Sequence, residues 1–144
     1  MFERFETFTV LINRISRNIR KIKNQEMAAY GLRSIHVSCL YYLRTDDGLT
    51  AKDLCDRCAE DKATISRALD FLEQEGYLVN PKRYKGPLTL TDKGVAVGDE
   101  IAGKIAAVLD AISDGLTQEE RTAFYRSLTI ISDRLDAVAE NGKE

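Results

Sequence analysis

Residues 50–76 narrow the possible folds of this chain more than any other stretch. Thr50 and Asp53 stand in capping-box relation, Asp taking the place of the usual Glu, and predict a short helix over Ala51–Cys58. Ala59-Glu60-Asp61 then makes a three-residue turn. A second helix is predicted from Asp61, a good N-cap, to Gly76, a good residue just past a helix end. Leu54 and Cys58 point inward from the first helix, with Ala51 and Cys55 beside them. Ile65, Leu69 and Leu72, with Ala68, give the second helix one apolar stripe at helical spacing. Two capped helices joined by a tight turn form the helix-turn-helix pattern.

The other face of the second helix carries Lys62, Thr64, Ser66, Arg67 and Asp70. Short side chains allow close approach to a DNA major groove, hydroxyls reach base edges or phosphates, and Arg reaches guanine or phosphate. Ala63 and Lys52 complete the candidate contact set on this pair of helices. After Gly76 the apolar period changes to two. Tyr77 and Val79 alternate with Leu78 and Asn80, and Leu88 and Leu90 with Thr89 and Thr91. The loop between them, Pro81 to Pro87, carries Lys82, Arg83 and Lys85. Two strands joined by a basic loop predict a β-hairpin wing whose cations reach phosphate or a minor groove.

Long helices flank this unit. Over residues 3–29, Phe5, Phe8, Ile12, Ile15, Ile19 and Ile22 step by three and four, a heptad seam that needs a partner helix. Arg14, Arg17, Arg20, Lys21 and Lys23 are read as its solvated face. After Gly31, a helix over about 32–44 aligns Leu32, Ile35, His36, Cys39, Leu40 and Leu43. Thr91 caps a helix over 92–113, whose Gly94, Gly98, Ala102 and Ala106 form a small-residue stripe that predicts close approach of another helix. Thr117 and Glu120 form a capping box for a helix to about Ala139, where Phe124, Leu128, Ile131, Leu135 and Val138 make a second seam. One small core cannot cover both seams, so interlocking of two protomers is expected.

Charge is unevenly spread. The net charge is −2, but residues 1–44 carry +5, 45–80 carry −5, 81–94 carry +3 and 95–144 carry −5. Local basic patches on an acidic protein suit a nucleic-acid footprint of restricted size. The charged N-terminus does not read as a signal peptide, and no apolar run approaches a membrane span, so a cytoplasmic protein is expected. Cys39, Cys55 and Cys58 are too few for a disulfide scaffold. Cys39 reads as a small buried hydrophobe and His36 as a hydrogen-bonded core or boundary residue. Cys55-x-x-Cys58 lies near the end of a helix and lacks two further convincing zinc ligands, so the pair reads as structural; a thiol oxidoreductase or redox-responsive regulator built on it is the alternative. A dimeric helical protein that has lost DNA binding is a third reading. No catalytic residue, metal or cofactor is expected.

The layout resembles the MarR family of bacterial transcription regulators over nearly the whole chain. The resemblance is most specific at Leu49, Thr50, Leu54, Asp61, Lys62, Thr64, Ile65, Ser66, Arg67, Leu72, Glu73 and Gly76, and at Leu90-Thr91-Asp92-Lys93-Gly94. The family often has Ser at the Ala63 position. The resemblance implies a mainly α fold with a small hairpin wing: dimerisation helices at 1–30 and 117–140, a DNA-binding lobe at 32–91 and a connecting helix at 92–113. It implies a homodimer, more often a repressor, on a pseudo-palindromic operator. It also implies that small, often aromatic, acids bind between the dimer helices and the DNA-binding lobe, with His36 and Cys39 as candidate lining. The wing tip departs from the family's acid-braced arginine: Lys82-Arg83-Tyr84-Lys85 is shorter and has no acid, leaving Arg83 for the minor groove. A lone histidine fits the zinc-sensing branch poorly, and the first helix lacks the cysteine of the peroxide-sensing branch.

Overall fold

Local capping sets most of the helix limits in the computed structural model, which describes residues 2–80 and 85–142, the side chains of Phe2 and Phe5 excepted. Helix α4 (Ala51–Cys58) begins where expected: the Asp53 amide donates to Thr50 Oγ1 at 3.2 Å and the Thr50 amide donates to Asp53 Oδ2 at 2.9 Å. Helix α5 (Lys62–Gln74) is capped by Asp61, whose carboxylate accepts the Thr64 amide at 2.7 Å. The turn between them places Ala59 at φ 52°, left-handed backbone that a Cβ disfavours by about 1–2 kcal/mol.

The chain divides into two compact units, Met1–Ile105 and Ala106–Glu144. In the first, the opening helix is not the single span 3–29. It comprises α1 (Phe2–Phe5), a π-helical turn over Glu6–Val10 and α2 (Leu11–Glu26), then a 3₁₀ turn over Ala28–Tyr30 that ends at left-handed Gly31. A seam stepping by three and four does not report a local change from i+4 to i+5 bonding. Helix α3 (Ser34–Thr45) starts two residues later than expected, because the Ser34 amide donates to Asn24 Oδ1 at 2.6 Å and the Arg33 amide to His36 Nδ1 at 3.0 Å.

The core of this unit collects Met27, Leu32, Leu40, Leu54, Ile65, Leu69, Leu72 and Ile101, all nearly or fully buried, where α3, α4, α5 and the start of α6 (Asp92–Ser113) converge. Val37, absent from the expected α3 face, is buried as well, whereas Ile35 and His36 are only half-buried. A short antiparallel pair, β1 (Leu78–Val79) and β2 (Thr89–Leu90), matches Leu78 with Leu90 and Val79 with Thr89. The expected alternation fails at its start: Tyr77 and Leu78 are both buried. Tyr77 belongs to the turn rather than the strand, its amide bonded to Leu72 O and its carbonyl accepting the Thr91 amide. The Leu88 amide donates to Leu49 O at 2.9 Å and ties the hairpin to the entry of α4.

The small-residue stripe of α6 does meet close neighbours. A Cβ on Gly94 would fall on the Tyr77 carbonyl oxygen, and one on Gly98 would lie 2.8 Å from Cβ of Arg44 on α3. In the second unit, α7 (Gln118–Asn141) follows the expected capping box of Thr117 and Glu120 and contains no buried residue.

Candidate nucleic-acid interface

Helix α5 divides cleanly into two faces. Ile65, Ala68, Leu69 and Leu72 are buried in the core. Lys62, Ala63 and Arg67 are exposed, and Thr64 and Ser66 are half-exposed beside them. Arg67 Nη2 donates to Thr64 Oγ1 at 3.4 Å, one helical turn back, which holds the guanidinium along the outer face. Asp61 remains ionised at the helix entrance, its pKa lowered first by the Thr64 amide and then by the Thr64 side chain. A shallow depression of about 400 Å³ opens between α4 and α5, lined by Ala51, Lys52, Cys55, Lys62, Ile65 and Ser66. The structure therefore brings Lys52 and Lys62 to one side, next to the α5 hydroxyls.

Other cations in the neighbourhood are held within the fold. Arg57 pairs with Asp46 at 2.7 Å, and Arg44 with Asp99 at 2.6 Å. Lys93 Nζ donates to Glu75 O at 2.7 Å and sits 4.3 Å above the Tyr77 ring, so it braces the α5–α6 junction. Among the expected wing cations Lys85 is exposed; Lys82 and Arg83 lie outside the described residues.

A solved structure of a MarR-family transcriptional regulator from Silicibacter pomeroyi is 32% identical to this chain, with 84% of each chain covered and a TM-score of 0.72. The chain belongs to the MarR family of transcriptional regulators. The family's sequence model matches residues 30–82, from the turn before α3 to three residues past the end of β1. An HTH-type transcriptional regulator from Bacillus cereus is 26% identical over 118 residues, covering 81% of this chain and 80% of its own. The fold is shared with Staphylococcus aureus MepR, solved as a MepR–DNA complex, at a TM-score of 0.78 and 20% identity over 90% of this chain and 97% of that one.

In this MarR-family chain the two candidate effector residues have different surroundings. His36 stacks on Phe71 with ring centroids 4.4 Å apart, and burial, then the nearby Arg33, pushes its pKa down. Cys39 has no exposed surface, whereas His36 is half-buried. Cys55 does not read as an activated thiol: burial, then Asp56, Cys58 and Asp61, push its pKa up. Among the described residues, no group of three or more His, Cys, Asp or Glu is arranged to hold a metal ion. No described helix is long and apolar enough to cross a membrane.

Sequence reasoning missed one cluster. Lys23, read as solvated, is half-buried, and its Nζ donates to Ser38 Oγ on α3 at 3.0 Å. Burial lowers its pKa and the nearby Cys58 partly offsets that, while Cys58 packs against the core in which Cys39 is buried. Nothing in the local spacing of these residues signals their meeting, because three separate helices bring them together.

Proposed function

We propose that this protein is a cytoplasmic homodimeric repressor that binds a pseudo-palindromic DNA operator. In this reading α5 enters the major groove, with Lys62, Ala63, Thr64, Ser66 and Arg67 at bases and phosphates and Lys52 at the flanking backbone. Lys82, Arg83 and Lys85 of the wing reach phosphate or the minor groove. The observation that carries the reading is the outward face of α5, whose cations and small polar groups project from a helix anchored by four buried apolar residues. MepR, a protein of the same fold, was solved as a complex with DNA, which supports DNA binding.

Homodimerisation follows from the end helices. Helices α2 and α7 are 16 and 24 residues long, and neither contains a buried residue. Such helices owe their stability to packing of an apolar face, and here those faces are open for a second copy. A dimer places two recognition helices about one DNA turn apart, which a palindromic site requires. A small aromatic or acidic effector, meeting the half-exposed edge of His36, would release the repressor.

The test is titration of DNA flanking the protein's own gene at rising salt. Log affinity falls linearly with log salt, by ~0.9 per phosphate neutralised, and the flanking fragment outcompetes random DNA. Equal binding to random fragments overturns the reading.

A further inference from the structure

The outward face of α5 has a crest, and the buried face fixes where it lies. Ile65, Ala68, Leu69 and Leu72 are the buried residues of this helix. At about 100° per residue, Ala63 stands about 170° around the helix from the middle of that stripe. Ser66 and Arg67, the next turn on, flank the crest on its two sides. Lys62 and Thr64 lie further out, toward the edges. Thr64 is engaged locally: its amide donates to the Asp61 carboxylate at 2.7 Å and its hydroxyl accepts Arg67 Nη2 at 3.4 Å. Lys62 stands with Lys52 around the depression between α4 and α5, off to one side. The residue on the crest of the first two turns is therefore an exposed alanine, whose side chain is a bare methyl group.

We propose that Ala63 is a specificity-determining residue whose methyl group packs on the C5-methyl of a thymine in each operator half-site. The proposal rests on the DNA-binding reading above and deepens it. A helix with its side chains is about 10–12 Å across and a major groove about 12 Å wide, so the crest comes nearest the base edges and the flanks nearest the phosphates. A side chain as short as that of Ala63 lets the helix seat deeply. Its methyl group neither donates nor accepts a hydrogen bond. Against guanine, adenine or the cytosine amine it would strip water from a polar edge and return nothing, which costs free energy. Thymine is the base whose major-groove edge carries a methyl group. Asp70, exposed and seven residues on, lies near the same line. Its carboxylate opposes approach to phosphate, which keeps close contact to the first two turns, where Ala63 is.

The experiment uses the full chain and the flanking DNA of the salt titration. Footprinting defines the protected half-sites, and each thymine in them is replaced in turn by deoxyuridine, which lacks only the C5-methyl. One position is expected to weaken wild-type binding by about fourfold per half-site, the worth of one buried methyl group. Ala63→Gly binds the unmodified DNA about fourfold more weakly per half-site and no longer distinguishes thymine from deoxyuridine at that position, while its response at every other thymine stays as in wild type. Ala63→Ser sets a hydroxyl against the thymine methyl and shrinks the same response, and it decides the matter if Ala63→Gly loses helix content by circular dichroism. A footprint without thymine, a flat deoxyuridine scan, or a response that survives unchanged in the variants overturns the proposal. Equal binding to random fragments takes down the regulator reading and this proposal together, whereas a clear footprint with a flat scan takes down this proposal alone.

Discussion

Two regions of this molecule use apolar residues in opposite ways. Among α3, α4 and α5, Leu54, Leu40 and Leu72 have no exposed surface, and the three helices close on one another. Along α2 and α7 the apolar residues are as regular but stay open: Ile15 is 53% exposed, Ile19 47%, Phe124 50% and Leu135 49%. The first pattern is satisfied within one chain. The second has the same helical spacing, but most of its apolar residues stay exposed within the chain. Apolar periodicity therefore specifies a surface to be buried and says nothing about whether the cover belongs to the same chain.

Charging both seams tests this comparison with the largest effect. At ~25 cal/mol per Å², burying half of the exposed seam in a partner contributes on the order of 10 kcal/mol before association costs. Ile15→Glu with Ile131→Glu splits the dimer or unfolds it and abolishes operator binding, seen by sedimentation against wild type. A wild-type monomer near 16.2 kDa that still binds a palindromic operator tightly contradicts the dimer reading.

The core side of the comparison is broken by Leu54→Ala. This fully buried residue sits between α3 and α5, and truncation costs about 2–5 kcal/mol in chemical denaturation. The dimer persists in sedimentation under native conditions, because Leu54 lies off both seams.

The smallest effect is a pH dependence centred on His36 of α3. Burial lowers the His36 pKa in the folded protein, so the unfolded chain binds that proton more readily. Stability from this residue is complete above the ordinary histidine value of about 6.5 and is lost as pH falls through that value toward the lower folded one. The caps Asp53, Asp61 and Glu120, whose pKa values are lowered by amide hydrogen bonds, lose their contribution at more acid pH, as those carboxylates protonate. Thermal denaturation of His36→Gln is flatter than wild type between pH 7 and 5, as flagged by the ~6.5 midpoint, and unchanged in the carboxylate range. Parallel curves for the two proteins overturn the assignment.

The sequence by itself determined the elements whose partners are three or four residues away. The Thr50–Asp53 and Thr117–Glu120 boxes, the Asp61 cap and the stripe of Ile65, Leu69 and Leu72 all appear as read, because one turn of helix brings those groups together whatever surrounds them. Tertiary structure alone decided the rest. Lys23 left the solvated face to reach Ser38, the Tyr77 turn broke the strand alternation, Val37 joined the core, and Gly94 met the Tyr77 carbonyl. Cys55-x-x-Cys58 drew attention as a local pair, yet both residues pack against a core that buries Cys39, nineteen positions before Cys58 on another helix. A neighbour of that kind is chosen by how α3 and α4 pack, and packing is a property of the whole core that no local spacing encodes.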